Sequence, residues 1–296
     1  MNAGEIAAVG QSLYAFAHQP VFGVCPMLMR IPAILFCVGL SLPVTAAGMP
    51  CGDDTACVVE GGDYRIEMPG NSDVRGAYVF FHGYKGSAEL QMRQHRDLVE
   101  TAFAHHLAFV AVDGIDGSWS VPNAPSQDRD EFRFVSNVLD DLKTRYGFGA
   151  QNTVIGGFSL GASMAYYATC RMGNRVSAMV TFSGVFWDPL PVPSECVSGQ
   201  PKAIHFHGRA DRTFPLNGRV IGKSYHQGGA FRSVAVLREA AKCDITAGRK
   251  IVIDGIECDD VPGCQRGNSV LCIHDGGHEA RANLLDAGLR EVGFPE

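Results

Sequence analysis

Apolar residues come in two rhythms along this chain. Short unbroken runs at Gly76–Phe81, Leu107–Val112, Thr153–Phe158, Val176–Phe182 and Ala203–Phe206 each predict a buried strand. Tyr64–Met68 alternates instead and predicts an opening strand, and Ile251–Ile253 and Val270–Ile273 predict two late ones. Between them Phe132, Val135, Leu139 and Leu142 recur at three- and four-residue spacing, so 130–146 predicts an amphipathic helix. Helices are also expected over 87–104, from the residue after Ser159 through Met172, over 231–241 and over 280–292. The stretches 113–127, rich in Gly, Ser, Pro and Asp, and 188–200, rich in Pro, read as loops. Strands alternating with helices predict an α/β fold, with a mostly parallel central sheet and helices on both faces. No repeat or linker follows residue 50, so 48–296 is expected to be one domain.

Polar clusters punctuate this pattern at 82–87, 159, 207–211 and 274–278, each directly after an apolar strand. In open parallel sheets, functional loops gather at the carboxyl ends of the strands. The most specific cluster is Gly157-Phe158-Ser159-Leu160-Gly161, between an apolar run and a helix-compatible segment. That is the sequence form of a nucleophile elbow, a tight strand-to-helix turn that exposes a serine hydroxyl. Glycines flank the serine because a Cβ there collides with the neighbouring strand and helix.

A serine hydroxyl is a weak nucleophile near neutral pH. It needs a base to take its proton and a carboxylate to orient that base. In this architecture the order is Ser, acid, His. Asp211, in a polar loop after a strand, is the expected acid, with Asp188 as the rival. His278, preceded by Gly276-Gly277, is the expected base, with His274 as the rival. Asp275 is too near His278 in sequence to orient it easily. The backbone N–H groups of Leu160 and Tyr84 are the expected donors to an oxyanion, and His82-Gly83 permits the tight turn before Tyr84. The other polar residues read as structural. His205 and His207 share one strand face but lack a third metal ligand at a convincing spacing, His105 and His106 mark a helix end, and Asp128, Asp130 and Glu131 suit a helix start. No metal or cofactor is expected.

Composition bears on compartment and partners. A net charge of −6 and the lack of a Lys/Arg run give no footprint for nucleic acid. Arg30, the apolar run Ile31–Leu42 and small residues through Gly48 read as a secretory signal over 1–47, with 1–26 an upstream extension before a start at Met27 or Met29. Eight of the ten cysteines lie beyond that segment, and an even number in an exported chain predicts four disulfides. Cys51 and Cys57 are close enough for a small loop, Cys170 is expected to meet Cys196, and the last four pair among themselves, with Cys243–Cys264 and Cys258–Cys272 favoured over the other two arrangements.

His82-Gly83-Tyr84-x-Gly86, the Gly-x-Ser-x-Gly segment, His207-Gly208-x-x-Asp211 with Pro215, and Gly277-His278 together resemble the secreted esterases of the polyhydroxybutyrate depolymerase and feruloyl/acetylxylan esterase group. Cys57 with Gly61-Gly62-x-Tyr64-Arg65 resembles that family's opening, and Arg129-Asp130-x-Phe132 resembles its helix start. Cys170 and Cys196 sit where the family has a disulfide. The resemblance covers about residues 51–280. It implies an α/β-hydrolase fold, no cofactor, and Ser159, Asp211 and His278 as the triad of an esterase working on a small, oligomeric or polysaccharide-linked ester in the periplasm or outside the cell. Where the family continues Gly-His with an aromatic-Pro-Gly segment, this chain has Glu279-Ala280-Arg281. A serine peptidase on the same fold is the alternative activity, and a binding protein that kept the fold is the alternative to an enzyme.

Overall fold

The computed structural model describes residues 51–296 apart from 53, 54, 71 and 72. The expected secretory segment and start site lie outside the described residues. The strands, in chain order, are β1 (Cys57–Val59), β2 (Gly62–Glu67), β3 (Gly76–Phe81), β4 (Leu107–Val112), β5 (Thr153–Phe158), β6 (Ala178–Phe182), β7 (Trp187–Asp188), β8 (Lys202–Gly208), β9 (Arg219–Ile221), β10 (Tyr225–Gln227), β11 (Arg249–Ile253), β12 (Ile256–Cys264) and β13 (Gly267–His274). The helices are α1 (Ala88–Gln94), α2 (Arg96–Ala104), α3 (Glu131–Tyr146), α4 (Leu160–Met172), α5 (Ala230–Ala240) and α6 (Ala282–Glu291).

Ten strands form the main sheet in the order β1-β2-β4-β3-β5-β6-β8-β13-β12-β11. The six from β4 to β13 run parallel, and antiparallel strands close both margins. Alternation within each strand sorts side chains to two cores. Val79, Phe81, Val110 and Ile155 face α3, α4 and α5. Tyr78, Phe80, Phe109 and Val154 face α1, α2 and α6. All six residues of β3 and of β4 are buried, which is why these strands read as continuous apolar runs.

Local chemistry sets the helix limits. The Ser87 hydroxyl accepts from Leu90 N–H at 3.1 Å and starts α1. The helix expected over 87–104 is two, because the backbone leaves helical geometry at His95. Asp130 caps α3 by accepting from Arg133 N–H, and Gly147 closes it at φ 77°.

All four expected disulfides are formed: Cys51–Cys57, Cys170–Cys196, Cys243–Cys264 and Cys258–Cys272. Besides the short β1, a strand and a small sheet are absent from the sequence reading. One is β12, whose Cys258 lies directly opposite Cys272 of β13. Its buried Asp260 hides the apolar pattern, and this carboxylate is satisfied by Arg249 at 2.8 Å and Asn268 at 2.9 Å. The other is a small antiparallel sheet, β7-β10-β9, of which β9 and β10 lie between 211 and 231, where the sequence reading assigned no element. Among the described residues no helix is long and apolar enough to cross a membrane.

Candidate active site

The strands β3, β5, β8 and β13 all run in one direction, so their carboxyl ends lie on one edge of the sheet. The four polar clusters follow those ends. At the end of β5, Ser159 adopts φ 58° and ψ −126°, a conformation that costs a non-glycine residue of order 1–3 kcal/mol. Its surroundings hold it there. A Cβ on Gly157 would lie 2.5 Å from Gly161 O, and one on Gly161 would lie 2.0 Å from Phe81 O. One on Gly184 would lie 1.8 Å from Ser159 O. Glycine at these three positions is therefore what lets α4, β3 and the loop after β6 close around the serine.

Ser159 Oγ lies 2.8 Å from His278 Nε2, and His278 Nδ1 lies 2.8 Å from Asp211 Oδ2. These side chains are 119 and 67 residues apart in sequence. The loops that carry Asp211 and His278 are stitched together, since Arg209 N–H donates to His274 O at 2.7 Å and Ala210 N–H to Gly276 O at 3.0 Å. Gly208 permits this approach, because a Cβ there would lie 2.1 Å from Gly277 O. Asp211 is buried. Burial alone would raise its pKa, but bonds from His278 and from the N–H groups of Thr213 and Phe214, both at 2.8 Å to Oδ1, hold it below the usual carboxylate value.

The rival residues lie elsewhere. Asp188 binds His226 at 2.9 Å and Arg232 at 3.0 Å. His274 Nδ1 accepts from Gly276 N–H, and Asp275 is exposed beside Arg209. His205 and His207 form a buried relay rather than a metal pair. Thr181 Oγ1 lies 3.0 Å from His205 Nδ1, His205 Nε2 lies 2.9 Å from His207 Nδ1, and His207 Nε2 lies 2.6 Å from Phe214 O. The last contact must have Nε2–H donating to the carbonyl, so His205 in turn donates from Nε2 and accepts from the Thr181 hydroxyl. Burial pushes both imidazoles below the usual histidine pKa, His205 the further, and one proton per ring satisfies every bond.

Phe214 was not visible as a site residue in the sequence. Its N–H binds Asp211, its C=O binds His207, and its ring lies 6.0 Å from that of His278 with 7° between planes. Phe158 packs on His278 at 4.6 Å.

Tyr84 and Leu160 flank Ser159 in the wall of one cavity. The turn holding Tyr84 makes its own bonds through Lys85 N–H to Gly117 O and Gly86 N–H to Gly83 O, not through Tyr84 N–H. His82 anchors the turn: Nδ1 bonds Gly83 O at 2.8 Å and Nε2 accepts from Gly114 N–H at 3.0 Å. The cavity holds about 340 Å³ and is mostly apolar, with Trp119, Trp187 and Phe214 in its walls. A second cavity, about 260 Å³, lies on the His278 side between Phe158, Leu98 and Ala280. Glu279 and Ala280 line it, where the family resemblance would place an aromatic-Pro-Gly segment. The Glu279 carboxylate accepts from Gly277 N–H and pairs with Arg281, bracing the histidine loop.

Among solved structures, an acetyl xylan esterase from Aspergillus awamori matches with a TM-score of 0.59 at 14% identity, over 78% of this chain and 94% of that one. The chain has an α/β-hydrolase fold. Esterase PE8 matches with a TM-score of 0.51 at 21% identity, over 79% of this chain and 100% of that one. The phospholipase/carboxylesterase family matches residues 119–230, which hold the elbow and Asp211. A feruloyl esterase B from Piromyces equi is 25% identical over 212 residues, 68% of this chain. The chain spans 39% of that relative's length. The motif resemblance to esterases of this fold is thus the one the comparisons return.

Proposed function

We propose that this chain is an exported serine esterase that cleaves carboxylic esters through an acyl-enzyme. The hydrogen-bonded chain Ser159–His278–Asp211, opening onto an apolar cavity, is the observation that carries this reading. Ser159 Oγ attacks the ester carbonyl carbon while its proton passes to His278 Nε2. The carbonyl oxygen becomes an oxyanion and accepts from Leu160 N–H and Tyr84 N–H, aided by the amino end of α4. His278 Nδ1–H donates to Asp211, which stabilises the imidazolium without taking its proton. Collapse breaks the bond to the alcohol oxygen, which takes the proton from Nε2 and leaves. Water then attacks the acyl-enzyme by the same route, giving the acid and restoring the serine.

The two cavities divide the substrate. The leaving alcohol must reach Nε2, so it lies on the His278 side. The acyl arm, attached to a carbonyl held by Tyr84 and Leu160, extends into the larger, aromatic-lined cavity. This division and the similarity to a feruloyl esterase and an acetyl xylan esterase favour plant-wall-type esters over hydroxybutyrate oligomers. Four disulfides support export into an oxidising compartment, with 48–296 as one catalytic domain. The test is a panel of methyl ferulate, acetylated xylan and hydroxybutyrate oligomers, with a peptide-amide set beside it. Cleavage of the first two over the others is expected. Cleavage of the amides alone would replace the reading with a peptidase.

A further inference from the structure

The small sheet that the sequence did not predict supplies one wall of the acyl cavity. In its register Arg219 lies opposite Gln227, and Gln227 opposite Trp187, so one row crosses all three strands. All three residues line the cavity, with Ile221 beside them. Arg219 is the single charged residue in that lining. Among the described residues it has no carboxylate partner; its one polar contact is Nε donating to Gln227 Oε1 at 3.2 Å. Gln227 is buried, so the contact fixes the guanidinium stem while both Nη groups remain unused. A guanidinium presents its donors as a planar fork that matches a carboxylate in two parallel hydrogen bonds. Arg219 is exposed, so it stands at the cavity's solvent-facing rim, where an anion at the far end of a bound acyl arm meets it and where salt screens the attraction.

We propose that the acyl cavity selects esters whose acyl arm is a flat apolar body ending in a carboxylate, with Arg219 binding that terminal anion. The aromatic walls take the body, and the reacting carbonyl lies at Ser159. Arg219 is a specificity-determining residue and takes no part in the proton transfers. The inference rests on the esterase reading and on the acyl arm entering this cavity.

The test compares methyl 4-carboxycinnamate with methyl 4-carbamoylcinnamate, in which an amide replaces the anion at equal size. Rates are normalised to sites titrated with an uncharged fluorophosphonate, so that misfolded protein does not count. The unsubstituted protein should favour the carboxylate in kcat/KM. That ratio should fall about 10- to 100-fold in Arg219→Gln, further in Arg219→Glu, and move toward one at high salt. A ratio equal in the unsubstituted protein and both variants would overturn the proposal while leaving the esterase intact. Failure to cleave either ester, with no titratable serine, would instead remove the esterase reading and this inference with it.

Discussion

The ring of Phe214 lies parallel to that of His278, 7° apart in plane, while the backbone of the same residue holds Asp211 through an N–H bond of 2.8 Å. One residue thus fixes both the orientation of the imidazole and the carboxylate that charges against it. Phe214→Leu keeps the backbone bonds and removes the flat surface. Its kcat/KM on a short 4-nitrophenyl ester should fall about 10- to 100-fold, the scale expected for misplacing a reacting group by about 1 Å. An unchanged value would assign the ring to packing alone.

The two candidate acids make a sharper contrast. Asp211→Asn leaves His278 without its ionised partner and should lower kcat on the order of 10⁴. Asp188 serves His226 and Arg232 on the small sheet, so Asp188→Asn should cost less than about tenfold, as for a residue outside the reacting groups. Steady-state kinetics on both variants rank them, and the reverse ranking would move the acid.

The buried relay predicts how stability depends on pH. His205 and His207 stay neutral in the folded protein because burial depresses their pKa values, and the unfolded chain binds those protons near pH 6.5. Their contribution is therefore whole above about pH 6.5 and is lost as pH falls below it, by up to about 1.4 kcal/mol per pH unit for each histidine. Asp211, held below the usual carboxylate range, adds its own loss only below about pH 4. Tm should hold steady from pH 8 to 7 and decline from 6.5 to 5. His207→Gln should flatten that decline, though not abolish it, because His205 and His274 are also depressed. A slope unchanged in the variant would contradict the relay's part in it.

The convergence of Ser159, Asp211 and His278 was legible because each lies within four residues of the end of a parallel strand, and sheet direction carries all such ends to one edge. The pairing of the last four cysteines is decided by the fold, which sets Cys258 of β12 opposite Cys272 of β13, whereas the number of disulfides was legible from the even cysteine count. Phe214 was not, because its part in the site is played by its backbone and by the face of a ring that also packs against Trp187. The small sheet was not, because its strands are two or three residues long and polar residues such as Arg219, His226 and Gln227 leave no apolar run. The break at His95 within the helix expected over 87–104 leaves no mark in the apolar spacing.

The account depends on Ser159 being the atom that bonds to substrate. Treating the protein with an uncharged fluorophosphonate and mapping the adduct by peptide mass spectrometry measures this directly. One adduct per chain on the peptide containing Ser159 is expected, with none in Ser159→Ala, whose kcat should fall on the order of 10⁶. Labelling of another residue, or full ester turnover by Ser159→Ala, would contradict it.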